Sequence, residues 1–233
     1  MIYVNGRFLL QSLTGVNRFA YELCRAWVQM GIPFILCCPS GSIKGCYDVS
    51  HFNIVVYGWG KSHVWEQLLL PLWFSRIKGE KVLVCFTGLG PLLIRKKIMT
   101  IHDLAFMANP DWYSRSYRLW YRLMTPLCVA TSMKILTVSE FSKSEIVRRL
   151  SIDDRKISVI YNAVSSLFCV SDSSHRNARE VTGEKYILAV SSIDPRKNFS
   201  MLLKAFAQMD DKNIKLYIAV SYTHLRAHET LMN

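Results

Sequence analysis

The chain has 233 residues, of which 51% are hydrophobic, and a formal net charge of +12. That length accommodates one large domain or two modest ones, and the apolar content excludes a disordered protein. The positive balance points to an anionic partner, whether nucleotide, nucleic acid or an acidic membrane face.

The chain opens with "MIYVNGRFLL", which lacks the basic start and long apolar run of a signal peptide. Strands are expected at "MIYV", "FILCC" (34–38), "NIVVYG" (53–58), "KVLVCF" (81–86), "KIMTI" (97–101), "KILTV" (134–138) and "KISVIY" (156–161). Helices are expected between them. In 16–30, Val16, Phe19, Leu23, Trp27 and Met30 recur at helical spacing, and further helices fit 62–77, 112–131 and 140–150. This alternation predicts an α/β fold with a doubly wound parallel sheet. The most apolar stretch, "VWEQLLLPLWF", is broken by Glu66, Gln67 and Pro71 and is too short to span a bilayer. The seven cysteines form no CxxC pair. Several fall in apolar runs (Cys37, Cys38, Cys85, Cys128), as reduced core thiols of a cytoplasmic protein would.

Near 162–184 the pattern lapses into a stretch rich in Ser, Asn and charge, read as an interdomain linker. "KYILAV" then starts a second unit. Asn198 is the expected cap of its helix, whose buried face would be Phe199, Leu202, Leu203 and Phe206; "KLYIAV" (215–220) is its next strand. The boundaries expected are 1–165 for the first domain, 166–184 for the linker and 185–220 for the truncated start of a second domain. The last stretch, "SYTHLRAHETLMN" (221–233), breaks the α/β rhythm and is read as non-native, so the spacing of His224 and His228 is not taken as a metal site.

Five segments carry candidate chemistry. In "QSLTGVNRFAYEL", Gly15 opens a helix after the first strand, where bare amides and the helix dipole suit an anion, and Arg18 adds a charge. A plain helix start with a solvated arginine explains the same residues. His102 and Asp103 should lie at the carboxyl end of a parallel strand, the edge where ligands gather. His102 suits a sugar hydroxyl or a developing oxyanion, while locally satisfied turn residues are the other reading. In "DWYSRSYRLWYRLMTPLC", Arg115, Arg118 and Arg122 share a helix face among aromatic residues. Interfacial membrane contact, stacking on single-stranded nucleic acid and an ordinary amphipathic helix all fit. "VSEFSKSEI" opens a helix capped by Ser139 or Ser142, and Ser142 to Glu145 has capping-box spacing. Finally "SSIDPRKNF" sets Arg196 and Lys197 beside a helix N-terminus, where two cations suit a pyrophosphate.

Together "TGVNRFAYEL", "TIHDLAF…NPDWYSRSYRLWYR", "ILTVSEFSKSEIVRRL", "KISVIYNAV" and "YILAVSSIDPRKNFSMLLKAF" resemble the retaining, GT-B-fold glycosyltransferases of family 4, in that family's order across residues 1–219. The resemblance implies two Rossmann-like domains facing each other across a cleft, the first holding an acceptor and the second a nucleotide-sugar donor. It implies that Gly15 lies at the donor diphosphate and that His102 sits by the transferred sugar. Arg196 and Lys197 would neutralise the leaving diphosphate without a metal. The implied catalytic residues are therefore His102, Arg196 and Lys197, with Arg18, His102, Asp103 and Ser139 as acceptor or sugar contacts and no cofactor beyond the nucleotide-sugar substrate.

Two departures stand out. Asn17 takes a position that is glycine in many relatives, a mild change because Asn tolerates unusual backbone angles. The family's two glutamates spaced eight apart, late in the second domain, are missing. The expectation is a truncated glycosyltransferase of bacterial surface-polysaccharide synthesis. Its parent would use a glycan or lipid-linked acceptor, with peripheral contact to an anionic membrane. A non-catalytic acceptor- or nucleotide-binding module is the alternative. No RRM, OB-type or helix-turn-helix pattern supports nucleic-acid binding.

Overall fold

A computed structural model describes residues 1–60, 62–164, 185–193, 195–211 and 213–220. The chain divides into two compact units, Met1–Ala163 and Val164–Asn233. Residues 166–184, expected to be a linker, and the 221–233 tail lie outside the described residues, as does Asp194.

The first unit is a seven-stranded sheet in the order β3-β2-β1-β4-β5-β6-β7, every neighbouring pair parallel. The strands are β1 (Ile2–Asn5), β2 (Phe34–Cys38), β3 (Ile54–Val56), β4 (Val82–Cys85), β5 (Lys97–Thr100), β6 (Lys134–Thr137) and β7 (Ile157–Val159). Alternation along them feeds two cores. Tyr3, Cys37, Leu83 and Cys85 face Trp65, Leu70, Phe74 and Cys128 on one side. Val4, Leu36, Cys38 and Val84 face Ala20, Tyr21 and Cys24 on the other. Each fully buried aliphatic or aromatic side chain contributes about 1.5–3 kcal/mol. Among the described residues six cysteines are free thiols, five of them buried. Burial pushes Cys24 and Cys38 up to about 12 and Cys128 up to about 11, so they behave as small apolar residues.

The crossovers are mostly helical. They include α1 (Gly15–Gln29), the short α4 (Ala105–Ala108), α5 (Arg115–Thr131) and α6 (Glu140–Leu150). The helix expected over 112–131 starts instead at Arg115: Pro110–Trp112 forms a separate 3₁₀ turn, and the Ser114 hydroxyl caps α5 by accepting from the Tyr117 amide at 3.3 Å. The 62–77 helix is also not uniform. Between α2 (Ser62–Val64) and α3 (Leu70–Arg76) lies a π-helical turn, Trp65–Leu69. Pro71 supplies the reason: it has no N–H for the Gln67 carbonyl, and its ring crowds that carbonyl, so the preceding turn widens.

In the second unit β8 (Tyr186–Ser191) and β9 (Lys215–Val220) pair in parallel through α7 (Phe199–Ala207). Phe199, Leu202 and Phe206 are half-buried, but Leu203, expected on the same face, is exposed. Among the described residues of this unit one helix lies over a two-stranded sheet, and their contact stripe is too narrow to reach it.

Candidate functional site

The strand order of the first unit reverses direction at β1, with β2 on one side and β4 on the other. Such a switch point opens a crevice beyond the carboxyl ends of the strands. His102, two residues past β5, is half-buried at this edge. Its Nε2 lies 2.9 Å from the Phe86 carbonyl, just beyond β4, and its ring stands edge-on to Phe19 of α1 at 5.0 Å. A carbonyl only accepts, so Nε2 carries the proton. Burial lowers the imidazole pKa, partly offset by that carbonyl and by Asp103. The ring is therefore neutral at neutral pH, with its Nδ1 lone pair an acceptor. It fits a hydroxyl donor better than an oxyanion. Asp103 is a turn residue here, its Oδ1 accepting from the Ala105 amide at 3.0 Å.

Ser139 caps α6, accepting from the Ser142 amide at 3.0 Å. Its hydroxyl also donates to Ser142 Oγ at 3.1 Å, and Ser142 Oγ donates to the backbone carbonyl of His102 at 3.1 Å. The helix start thus fixes the backbone that carries the imidazole. The capping box expected between Ser142 and Glu145 does not form. Glu145 instead pairs with Arg149 at 2.6 Å and with Arg148, which together hold its carboxyl below the ordinary range. Ser142 lies inside α6 with its amide already given to Ser139 Oγ, so a box closing on it has no free donor.

In the first loop Thr14 caps α1, accepting from the Asn17 amide at 3.3 Å. Asn17 is buried and sends Nδ2 to the Ser12 carbonyl at 2.8 Å. Its value here is that bond, not tolerance of unusual backbone angles, since it sits in regular helix. A Cβ added at Gly15 would meet nothing within 4 Å. The bare first turn therefore has open space in front of it. Arg18 is half-exposed and lies 3.7 Å from Glu22.

A further cluster at this edge was not foreseen. Glu66, 2% exposed, accepts from Asn5 Nδ2 at 2.5 Å. Arg7 lies 3.6 Å and His63 3.7 Å from its other oxygen. His63 packs against Trp120 and Tyr121, and the Tyr113, Tyr117 and Tyr121 rings stack in series. Burial raises the Tyr121 pKa, with Glu66 adding to the rise and Arg7 opposing it. The residues flanking Glu66 are tied as well. Trp65 Nε1 donates to the Tyr57 carbonyl at 2.7 Å; Gln67 accepts from the Leu92 amide at 2.9 Å and donates to the Gly90 carbonyl at 3.3 Å. A glutamate interrupting the chain's most apolar run was the available signal, but its partners are too far away in sequence to be read there.

In the second unit Arg196 and Lys197 lie exposed in the 3₁₀ turn Pro195–Lys197. Asn198, with φ 48°, caps α7 through Oδ1 to the Met201 amide at 3.3 Å. The cap is as expected from the sequence, and it holds both cations beside the helix start.

Residues 13–166, which include Gly15, Glu66, His102 and Ser139, match the family described as Glycosyltransferase Family 4. The chain belongs to glycosyltransferase family 4. It is 32% identical over 126 residues to the O-antigen chain mannosyltransferase RfbU of Salmonella typhimurium LT2, covering 54% of this chain and 33% of that one. It is 26% identical over 125 residues to O-antigen chain mannosyltransferase B of Escherichia coli, covering 50% and 32%. The matched segment thus spans about a third of these curated relatives. A glycosyltransferase crystal structure from Rickettsia africae ESF-5 superposes with a TM-score of 0.51 at 13% identity, covering 94% of this chain and 68% of that one. The likeness is one of fold, and the seven-stranded parallel sheet is Rossmann-like, as in GT-B glycosyltransferases.

Proposed function

We propose that this family 4 chain belongs to a retaining hexosyltransferase that moves a sugar from a nucleotide donor to a glycan or lipid-linked acceptor in surface-polysaccharide synthesis. The observation that carries the proposal is the family match over 13–166, together with a neutral, half-buried His102 beyond the carboxyl end of β5. The O-antigen mannosyltransferase relatives favour mannose as the transferred sugar. His102 Nδ1 would accept from a sugar hydroxyl. Arg196 and Lys197 would take up the charge that develops on the diphosphate as the glycosidic bond breaks, with no metal required. Gly15 would offer its open helix start to an anionic group, and Arg18, Asp103 and Ser139 would contact acceptor or sugar. No protein nucleophile is assigned. The site would work at the cytoplasmic face of an anionic membrane; among the described residues no helix is long and apolar enough to cross one.

The test is incubation with a nucleotide-activated mannose and a lipid-linked glycan acceptor. Mannosyl transfer supports the enzyme reading. A second reading is a binding module without catalysis; donor or acceptor binding without turnover would select it. Neither binding nor transfer would reject both.

A further inference from the structure

Helix α5 turns an apolar stripe outward. Leu119, Leu123 and Leu127, spaced by four, are 71%, 60% and 43% exposed. Alongside is a cavity of about 640 Å³ lined by Phe106, Met107, Arg118, Arg122, Pro126 and Arg149, among others. Three guanidinium groups from two helices converge on it, and no acidic side chain is among the described residues that line it. Like charges gathered in one concavity repel each other and lower its affinity for cations while raising it for anions. The arginines are also prepared to different degrees. Arg149 is fixed by Glu145 at 2.6 Å, and Arg118 has only a distant carboxylate, Asp111 at 4.0 Å. Arg122 makes no hydrogen bond or ion pair among the described residues.

We infer that this cavity binds the phosphate headgroup of an anionic lipid, with Leu119, Leu123 and Leu127 entering the adjoining acyl layer. Guanidinium groups match phosphate oxygens in geometry as well as charge. An exposed leucine stripe beside them is what a bilayer would cover and a free anion would not. The Tyr113, Tyr117 and Tyr121 rings stack on one another, and Tyr117, 40% exposed, is less open than Leu119, Leu123 and Leu127. The inference rests on the membrane-facing reading above and gives it a specific site, including Arg149, which lies outside the 112–131 segment.

The experiment is vesicle co-sedimentation at low salt, read without turnover, so that an inactive chain leaves it intact. The full chain should bind mixed phosphatidylglycerol–phosphatidylcholine vesicles and not phosphatidylcholine alone. Arg118→Gln and Arg122→Gln should each weaken binding about fivefold, and Leu123→Glu should weaken it further, all with unchanged melting. Arg25→Gln removes the same charge from α1 and should have little effect. An equal loss for Arg25→Gln and Arg122→Gln would mean diffuse attraction and overturn the site while leaving membrane contact standing. Displacement by millimolar inorganic phosphate, with Leu123→Glu silent, would overturn the lipid assignment. Absence of binding to anionic vesicles would overturn site and membrane contact together.

Discussion

His102 donates through Nε2 to the carbonyl oxygen of Phe86, 2.9 Å away. One bond thus ties the loop after β5 to the end of β4 and fixes which nitrogen is left to face a ligand. Since burial lowers the folded pKa below the ordinary 6.5, the unfolded chain binds the proton more readily in the window between the two values. The stabilising contribution is complete above pH 6.5 and is lost as pH falls through the folded value. Melting temperature should therefore drop on mild acidification, and His102→Gln, which can still donate to Phe86, should flatten that drop. In a transfer-competent assay His102→Ala should cost about tenfold in kcat/KM, the value of one substrate hydrogen bond.

Glu66 offers a sharper stability test. Replacing a buried carboxylate that accepts from Asn5 and lies beside Arg7 removes that acceptor and that counter-charge from the interior, so Glu66→Ala should cost about 3–5 kcal/mol in urea denaturation. Glu66→Gln retains an acceptor for Asn5 and should cost clearly less. Equal losses would mean that charge, not hydrogen bonding, dominates the cluster.

Arg196 and Lys197 should register in donor binding. Either change to Ala should weaken binding of a nucleoside diphosphate by about tenfold to a hundredfold, corresponding to ~1.5–3 kcal/mol for a charge-assisted bond. Calorimetric titration should show the effect shrinking as salt rises, and a chelator should leave it unchanged.

Asn198 separates the cap from the cations. Its left-handed φ of 48° and its bond to Met201 predict that Asn198→Gly is nearly neutral. Asn198→Ala should cost about 1–2 kcal/mol, from the lost cap and the added backbone strain. Amide exchange in the first turn of α7 reports the difference.

Much of the fold was legible because its signals are local. The apolar run 34–38 and the capped 140–150 segment match β2 and α6 residue for residue. The place of His102 followed from where β5 had to stop. What stayed hidden depends on competition or distance. Ser142 and Glu145 have the spacing of a capping box, but the helix is capped three residues earlier, at Ser139, and Glu145 pairs with Arg148 and Arg149. Asn5 and Glu66 are 61 residues apart and meet only when β1 is central in the sheet. The π turn needed Pro71 to be weighed as a disruption of the turn before it rather than as a break in an apolar run.

That turn has a mechanical consequence. Trp65, Glu66 and Gln67 are consecutive, yet each grips a different loop: the one after β3, the end of β1 and the one after β4. The rim around the switch point is therefore clamped from a single point, and its loops cannot drift independently. A change in that one turn would retune the whole rim at once. Variation in ligand preference is easier to introduce from the far sides of these loops than from the clamp itself.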